Sequence, residues 1–421
     1  MDKIVIEGPT KLKGTVEVSG AKNSALPIMA ATLLTNEKCV IKKVPPLRDV
    51  NTMIKILRNL GVKVQFEDSR LIIDPNGYKN YVAPYKYVKE MRASFCVLGP
   101  ILAKLKCAQV SYPGGCAIGN RPVDLHMKGI RALGADLKIE HGYVVAKARQ
   151  LKGAHVYLGG AFGSSVLATD NVMMAATLAK GKTVIENAAC EPEVVDLAEF
   201  LTKMGAGIKG AGTHFIEIDG VKKLGGAEYE IIPDRIEAGT FMVAAAITKG
   251  DITIKGARYD HLGALIDKLQ DAGVAITRHG KDIRVRVLRS LKPVDLTTLP
   301  YPGFPTDLQA QMMALMSVID GISVVTEKIY PDRYMHVSEL ARMGAQIKLE
   351  GDSAIVKGVK GLSGAPVMAS DLRASAALVL AGMAAGGRTD ISRVYHLDRG
   401  YDKIEQKLLL LGANIHREKE E

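Results

Sequence analysis

Apolar and polar positions along the 421-residue chain follow a pattern that occurs six times. Each copy contains an amphipathic segment ending in a small hydrophobic-Gly turn, and then a segment with apolar residues at every second position. The first pattern predicts a helix and the second a strand. The turn glycines recur roughly every 70 residues, so the repeat fills the chain. They are Gly61, Gly134, Gly205, Gly273, Gly344 and Gly412.

Another helix precedes each of these segments and is apolar on nearly all of its faces. The six sequences are NSALPIMAATLL, ASFCVLGPILA, NVMMAATLA, GTFMVAAAIT, LQAQMMALMSVI and RASAALVLAGMAA. Helices of this composition are buried, whereas the amphipathic ones should lie at the surface. Each copy therefore has a helix, a strand, a second helix, a glycine turn and a strand pair. We predict an α/β (α+β) fold, a two-domain inside-out α/β barrel of six βαβαββ-type repeats, three in each domain, with inner helices and outer sheets.

Three such repeats would bury a complete helix layer, so six predict two domains. We expect one domain at 22–232 and a discontinuous one at 1–21 plus 233–421, with the active site in the cleft between them. The discontinuity follows from the first strand, 3–6, which precedes any complete repeat and could complete the last sheet.

Composition excludes several classes of protein. With 47% hydrophobic and 24% charged residues, the chain is neither disordered nor a disulfide scaffold. Its five cysteines lack C-x-x-C spacing, its start reads as a strand, and its apolar stretches are too short to span a bilayer. We expect a cytoplasmic protein with no membrane partner. The net charge of +11 favours an anionic partner.

Charged and polar residues concentrate where the predicted helices begin. An acidic or hydroxyl residue there is ordinarily an N-cap. A cation there opposes the helix dipole at a cost of roughly 0.3 to 1 kcal/mol, unless an anion is bound. The repeated cations therefore predict a polyanionic ligand held between helix ends. They are Lys22, Arg48, Arg92, Arg121, Arg333 and Arg399.

The loop 113–122 contains three Gly and two Pro and predicts an exposed segment. A lone cysteine is most often a small buried hydrophobe. Cys116 lies on this loop, five residues from Arg121, where a reactive thiol is an equally good interpretation. We interpret the other four cysteines as structural.

Three other motifs fail on context. Gly205–Gly210 matches G-x-G-x-x-G but follows a helix and leads into a strand, the reverse of a dinucleotide fold. Gly181-Lys182-Thr183 resembles the end of a P-loop that lacks its first glycine. The nine His show no metal-ligand spacing, so no metal and no cofactor is predicted.

Several segments together resemble the UDP-N-acetylglucosamine 1-carboxyvinyltransferase family, the enolpyruvyl transferases of peptidoglycan synthesis within the EPSP synthase superfamily. The resemblance runs from end to end. Its segments are SGAKNSALP from Ser19, PGGCAIGNRPVDLH from Pro113, IENAACEPEVVDLA from Ile185, PDRIEAGTF from Pro233, FPTDLQAQ from Phe304, DRYMHVSELARMGA from Asp332, DLRASAALVLAG from Asp371 and YHLDRGYDKIE from Tyr395.

The resemblance implies that the enolpyruvyl group of phosphoenolpyruvate is transferred to the 3′-hydroxyl of UDP-N-acetylglucosamine by addition and elimination. It implies Asp307 as the base. It implies Cys116 as the acid, either the proton donor to C3 or an aid to product release, and as the thiol alkylated by fosfomycin. Lys22 and Arg399 have catalytic roles in the same picture. The implied phosphoenolpyruvate ligands are Lys22, Asn23, Arg121, Arg333 and Arg399. The implied nucleotide-sugar ligands are Asn23, Arg92, Arg121, Pro122, Val123, Asp124, Leu125, Ser165, Val166, Asp307 and Ile329.

Two positions depart from the family pattern. Leu167 stands where the family commonly has Gly, which removes room for a diphosphate beside the backbone. Cys190 replaces a usual Arg, and we interpret it as structurally tolerated. Two rival functions are considered: a shikimate-3-phosphate transferase on the same scaffold, and a basic scaffold that binds nucleic acid. Only the net charge supports the second, and stacking aromatics interleaved with Lys and Arg are lacking, so no nucleic-acid partner is predicted. The oligomeric state cannot be read from the sequence.

Overall fold

The computed structural model describes residues 2–113 and 123–420, which form two compact units. Unit I contains residues 20–113 and 123–232, and unit II contains residues 2–19 and 233–420. Each unit has its own hydrophobic core.

The described residues contain short strands and short helices in regular alternation. The strands are β1 (Asp2–Gly8), β2 (Lys13–Glu17), β3 (Cys39–Lys42), β4 (Lys63–Glu67), β5 (Arg70–Asp74), β6 (Val82–Ala83), β7 (Cys107–Ser111), β8 (Asp136–Glu140), β9 (Tyr143–Lys147), β10 (His155–Tyr157), β11 (Gly159–Gly160), β12 (Gly163–Ser164), β13 (Lys182–Glu186), β14 (Gly207–Lys209), β15 (Phe215–Asp219), β16 (Glu228–Glu230), β17 (Asp251–Lys255), β18 (Ala275–His279), β19 (Asp282–Arg286), β20 (Leu296–Thr298), β21 (Ile322–Glu327), β22 (Gln346–Glu350), β23 (Ser353–Lys357), β24 (Pro366–Met368), β25 (Gly387–Ser392) and β26 (Ile415–Lys419).

The α-helices are α1 (Lys22–Ala31), α2 (Arg48–Asn59), α3 (Tyr85–Val88), α4 (Leu98–Leu105), α5 (Asp124–Ala132), α6 (Val166–Ala176), α7 (Pro192–Lys203), α8 (Arg235–Ile247), α9 (Gly263–Asp271), α10 (Gln309–Met316), α11 (His336–Arg342), α12 (Leu372–Ala384) and α13 (Ile404–Leu410). Short 3₁₀ helices are at Thr32–Leu34, Arg92–Val97, Tyr259–His261, Thr306–Leu308 and Val394–Arg399.

Within the described residues, each repeat forms one four-stranded sheet with the same strand order. In β20-β21-β23-β22, the edge strand β20 is parallel to β21, and the hairpin β22–β23 is antiparallel with β23 beside β21. The other five sheets are β16-β3-β5-β4, β6-β7-β9-β8, β10-β13-β15-β14, β2-β17-β19-β18 and β24-β25-β1-β26. The predicted βαβαββ order is confirmed.

The first strand completes the last sheet. Strand β1 lies between β25 and β26, and Ile4 is paired with Ile391 on one side and Arg417 on the other. This prediction is confirmed: the last repeat has only β26 after its glycine, and the chain start supplies the missing strand. In the same manner, β2 becomes the edge strand beside β17, and β16 the edge strand beside β3.

The two predicted kinds of helix are present. All but one of the residues of α1 are buried, as are most residues of α6, α8 and α12, because these helices are apolar on all sides. Helices such as α2 bury one face and expose the other. The six turn glycines all have φ between 89° and 106°, the left-handed conformation that ends a helix. One detail differs: the first helices of the second and fifth repeats begin as 3₁₀ turns.

Replacing one of these turn glycines with alanine tests this role. At Gly344 (φ +92°) no atom lies within 4 Å of an added Cβ, so only backbone strain opposes a side chain. We expect Gly344→Ala to lower the free energy of unfolding by about 1 kcal/mol. Gly361, equally open but without a positive φ, is the control. Gly361→Ala should leave stability unchanged or slightly raised in denaturant titrations. Equal losses in both variants would contradict the assignment.

Candidate active site

An ion-paired carboxylate stands at the start of α10. Asp307 belongs to the 3₁₀ turn Thr306–Leu308 and does not cap the helix. Its Oδ1 lies 2.8 Å from Arg333 Nη1, and its Oδ2 lies 3.0 Å from Arg373 Nη2. The Asp307 side chain is 26% exposed, whereas those of Arg333 and Arg373 are 6% and 2% exposed. The Asp307 carboxylate is therefore partly exposed to solvent, and two buried guanidinium groups bind it on its protein side.

The charges of this cluster support one another. Burial is the largest single influence and lowers the pKa of Arg333 and Arg373, but the acidic groups around them together outweigh it, so both pKa values are raised; Asp307 contributes most, with Asp371 beside Arg333 and with Tyr401 and Asp234 beside Arg373. Arg373 also lies over the ring of Tyr401, 5.4 Å from its centroid. The guanidinium groups stay charged, and charge-assisted hydrogen bonds of this kind fix the carboxylate in orientation.

The fully buried Glu327 is linked to the Asp307 cluster through Thr306 and Arg333. Thr306 Oγ1 accepts from Arg333 Nη1 at 2.9 Å and donates to Glu327 Oε2 at 2.9 Å. The other oxygen, Oε1, accepts from Thr298 Oγ1 and from the backbone N–H groups of Ile329 and Tyr330. Ile329, expected as a nucleotide-sugar ligand, is thus joined to the Asp307 cluster through Glu327.

Sequence reasoning missed Arg373 as a site residue. Asp371 caps α12 by accepting from the backbone N–H groups of Arg373 and Ala374, which leaves the Arg373 side chain free to turn inward. The signal was present: a cation in the first turn of an otherwise apolar, buried helix opposes the helix dipole and needs an anionic partner. That partner is Asp307.

In unit I, Lys22 is the first residue of α1, and its Nζ lies 3.2 Å from Asp49 Oδ2. Both side chains are almost fully buried, at 10% and 4% exposure. Asp49 lies in the first turn of α2, and the sequence analysis did not single it out. The cost of a cation at this helix start is therefore offset partly by Asp49, so Lys22 alone does not demonstrate a bound anion. Asn23, next to it, is half-buried.

Arg399 does not lie at a helix start, so the predicted electrostatic cost at this position is wrong. This residue ends the 3₁₀ helix Val394–Arg399, and α13 begins only at Ile404. A cation is favourable at a helix C-terminus, so its position there carries no cost that a ligand must repay. Arg333 is likewise not at a helix start, because α11 begins at His336. Its ionic partner is Asp307.

The nucleotide-sugar ligands expected in unit I lie at the beginnings of helices. The side-chain amide of Asn171 joins these helices by hydrogen bonds. Asn171 of α6 donates to Phe95 O, accepts from Gly99 N, and contacts His126 Nδ1 at 3.0 Å. Burial, with a smaller contribution from the Arg92 charge, lowers the pKa of His126 to about 3, so this ring is neutral. Asn171 thereby joins the 3₁₀ helix that begins at Arg92 to α5 and α6.

The start of α6 adjoins a glycine ribbon. Ser165 caps α6 by accepting from Ala168 N, and the antiparallel pair β11–β12 leads directly into it. Leu125 of α5 lies against Gly160 of this ribbon, leaving little room for a side chain there. Val123 is the N-cap residue of α5, Asp124 begins that helix, and Val166 begins α6.

The two departures from the family pattern are accommodated. Leu167 lies in α6 with a helical backbone and packs against the core of unit I, so the position does not require glycine. Cys190 is buried, and its Sγ lies 3.5 Å from His214 Nδ1. Burial, with a smaller contribution from Glu191, raises the pKa of the Cys190 thiol.

Cys116, Arg121 and Pro122 lie outside the residues that the structure describes, so the expected thiol and one expected cation are not placed. Over 2–113 and 123–420, no group of three or more potential metal ligands comes together. No helix in those ranges has the length and apolar character needed to cross a membrane.

Comparisons with known proteins place this geometry in context. The model of the family described as EPSP synthase (3-phosphoshikimate 1-carboxyvinyltransferase) matches residues 6–408. UDP-N-acetylglucosamine 1-carboxyvinyltransferase 1 of Caldanaerobacter subterraneus subsp. tengcongensis is 57% identical over 415 residues, 99% of either chain. UDP-N-acetylglucosamine 1-carboxyvinyltransferase of Geotalea uraniireducens is 57% identical over 420 residues, 100% of either chain.

Solved structures show the same fold. The enolpyruvyl transferase NikO from Streptomyces tendae superposes with a TM-score of 0.90 at 23% identity over 99% of each chain. EPSP synthase from Acinetobacter baumannii superposes with a TM-score of 0.77 at 19% identity over 100% of each chain. At these identities the likeness is one of fold.

Proposed function

Since this chain belongs to the EPSP synthase family of enolpyruvyl transferases, and within it to the UDP-N-acetylglucosamine 1-carboxyvinyltransferases, we propose that it transfers the enolpyruvyl group of phosphoenolpyruvate to UDP-N-acetylglucosamine. The acceptor is the 3′-hydroxyl, the second product is inorganic phosphate, and the reaction begins peptidoglycan synthesis. The structural observation that carries the proposal is the Asp307 carboxylate, held by two buried guanidinium groups and open to solvent on its other side.

The donor substrate requires cations. Phosphoenolpyruvate has roughly three negative charges near neutral pH, because a phosphate monoester contributes up to about two and the carboxylate one. In the proposal Lys22, Arg121 and Arg399 bind these charges, with Arg333 close to the reacting atoms and Asn23 as a neutral hydrogen-bond donor. The net charge of +11 is consistent with drawing anionic substrates toward the protein.

Asp307 accepts the proton of the sugar hydroxyl. Arg333 and Arg373 engage one lone pair on each carboxylate oxygen, and an ionised carboxylate has about four acceptor sites. Because its side chain is 26% exposed, Asp307 can also accept from the 3′-hydroxyl and align the hydroxyl oxygen with C2 of phosphoenolpyruvate. Proton transfer then accompanies attack, as in general base catalysis.

The rest of the reaction balances as follows. The hydroxyl oxygen bonds to C2 as the C2–C3 double bond breaks, and C3 takes a proton, which we assign to the Cys116 thiol. In the tetrahedral ketal, a C3 proton then passes back to the Cys116 thiolate while the C2–O bond to phosphate breaks, which restores the C2–C3 double bond in the product; the proton that Asp307 accepted is released to the departing phosphate. Lys22 and Arg399 stabilise the charge that shifts onto the departing phosphate.

The nucleotide half of the acceptor is assigned to the helix starts of unit I. Backbone N–H groups at such ends bind phosphate oxygens, and Arg92 adds a cation. Arg121, Pro122, Val123, Asp124, Leu125, Ser165 and Val166 complete this proposed set, with Asn23, Asp307 and Ile329 at the sugar. A cytoplasmic location and covalent inhibition by fosfomycin at Cys116 belong to the same proposal.

Phosphate release tests the function directly. We expect purified protein to release inorganic phosphate only when phosphoenolpyruvate and UDP-N-acetylglucosamine are both present, because the bond to phosphate breaks only after the ketal forms. Omission of either substrate is the control, monitored by a coupled phosphate assay. Folded protein that releases no phosphate from the pair would refute the proposal, and release without the sugar would indicate a phosphatase.

A further inference from the structure

A buried carboxylate outside the proposed site collects three hydrogen bonds. Asp196 of α7 is 1% exposed. It accepts from Ser24 Oγ, from Tyr229 OH at 2.6 Å, and from the backbone N–H of Ile232 at 3.3 Å. These three donors are neutral. A buried carboxylate stabilised by neutral donors is costly, so its retention calls for a role.

Two of these donors belong to segments that adjoin proposed substrate ligands. Ser24 lies in the first turn of α1, two residues after Lys22. Ile232 is the last residue of unit I before the chain enters unit II at Pro233, and its carbonyl accepts from Ala21 N at 2.8 Å. Asp196 therefore ties the beginning of α1 to the segment that leaves unit I.

The backbone just before α1 is closely packed as well. A Cβ added at Gly20 would lie 2.0 Å from the carbonyl oxygen of Lys43, so the chain has no room for a side chain at this point. Gly20 is thus tightly packed and Ala21 is bonded to Ile232 directly before the first turn of α1. The hydrogen bond from Ser24 to Asp196 joins a side chain of that turn to α7.

We propose that Asp196 is a positioning residue for the transfer reaction: its ionised carboxylate holds the first turn of α1, and with it Lys22 and Asn23, in the orientation that meets phosphoenolpyruvate. This inference rests on the proposed function. Asp196 does not touch substrate itself. It acts through Ser24, in the way that outer residues orient the groups in direct contact with a ligand.

Protonation provides a readout. Burial raises the pKa of Asp196 to about 6, against the hydrogen bonds from Ser24 and Tyr229 that favour the charged form. A protonated carboxyl has an O–H that itself needs an acceptor, and it accepts hydrogen bonds less strongly than a carboxylate does, so protonation weakens its hold on the three donors. The charged and titratable groups on α7 and on the elements that neighbour it are Lys22, Asp170, Glu193, Glu199, Lys203, Lys209, Glu228, Tyr229 and Glu230.

The sign of the effect separates positioning from folding. Because the folded-state pKa lies above the ordinary value, the folded state binds this proton more tightly than the unfolded state does. Lowering the pH through 6 therefore raises the free energy of unfolding through Asp196. The same protonation weakens the hydrogen bond by which Asp196 holds the first turn of α1. Activity and stability should move in opposite directions on account of this group.

The experiment compares kcat/KM for phosphoenolpyruvate in the wild-type protein and in Asp196→Asn between pH 5.5 and 8. Protonation of the substrates changes kcat/KM equally for both proteins, so this effect cancels in the ratio of the two values. We expect the wild type to exceed the variant about tenfold at pH 7.5. The ratio should shrink to about threefold at pH 5.5, because most of the wild-type carboxyl is then protonated.

Two further variants keep the test decisive. Glu199→Gln changes a carboxylate that contacts Tyr229 but neither Ser24 nor Ile232, and the ratio of wild-type to variant kcat/KM should stay near one at pH 7.5, where Asp196 is ionised in both proteins. Ser24→Ala removes only the link to α1 and should reproduce the Asp196→Asn loss, even if the latter variant folds poorly. A pH-independent ratio for Asp196→Asn, or full activity in Ser24→Ala, would overturn the inference. An inactive wild type would instead refute the proposed function.

Discussion

Replacing Asp307 with asparagine is expected to lower kcat about a thousandfold, because an amide cannot take the proton of the attacking hydroxyl. The change is nearly isosteric, so substrate binding should suffer far less than turnover. We expect the residual rate to rise with pH as solvent hydroxide replaces the missing base. Steady-state kinetics of phosphate release between pH 6 and 9 measure both effects.

The same position is important for stability. Asp307→Ala leaves Arg333 and Arg373 buried without their shared counterion, which should lower the free energy of unfolding by about 3 kcal/mol. Asp352 offers a matched control, since its carboxylate pairs with Lys328 at the surface of the same unit. Asp352→Asn should lower the free energy of unfolding only slightly, because exposed ion pairs contribute little to stability.

Asp307→Asn retaining a third of wild-type kcat would contradict the role of Asp307 as the base.

The second large effect concerns Cys116. We expect Cys116→Ala to lose about a thousandfold in turnover because C3 loses its proton donor. Cys116→Asp should retain measurable turnover and lose sensitivity to fosfomycin, since a carboxyl group can donate a proton but opens an epoxide poorly. Turnover after preincubation with fosfomycin, together with the mass of the intact protein, measures both properties.

A matched control uses a cysteine of the described structure. Cys107 is half-buried in β7, and Cys107→Ala should keep both turnover and the fosfomycin adduct. An adduct that persists in Cys116→Asp and disappears in Cys107→Ala would place the reactive thiol elsewhere.

The fold was accessible from the sequence because its repeat rests on local rules. A glycine ends an amphipathic helix at a left-handed position, and an alternating strand follows, six times over. The fate of the first strand could also be inferred, because the last repeat lacks one strand of its pair. Both inferences follow from local sequence patterns and from the number of strands in each repeat, without knowledge of long-range contacts.

The partners of the site residues were less accessible. The sequence analysis read the cations at helix starts as evidence for a ligand, but Lys22 has Asp49 beside it and Arg399 ends a 3₁₀ turn. Both contacts depend on how separate segments pack, which periodicity does not report. The partner of Arg373 was inaccessible for the same reason, because Asp307 lies in the preceding repeat, 66 positions away.

Product analysis with a substrate exchange tests the central claim most directly. Protein is incubated with phosphoenolpyruvate and either UDP-N-acetylglucosamine or shikimate 3-phosphate, and the products are identified by mass spectrometry and phosphorus NMR. The account predicts equal amounts of phosphate and an enolpyruvyl ether of the nucleotide sugar, with the shikimate compound returned unchanged. Enolpyruvyl transfer to shikimate 3-phosphate, with the nucleotide sugar left intact, would contradict it.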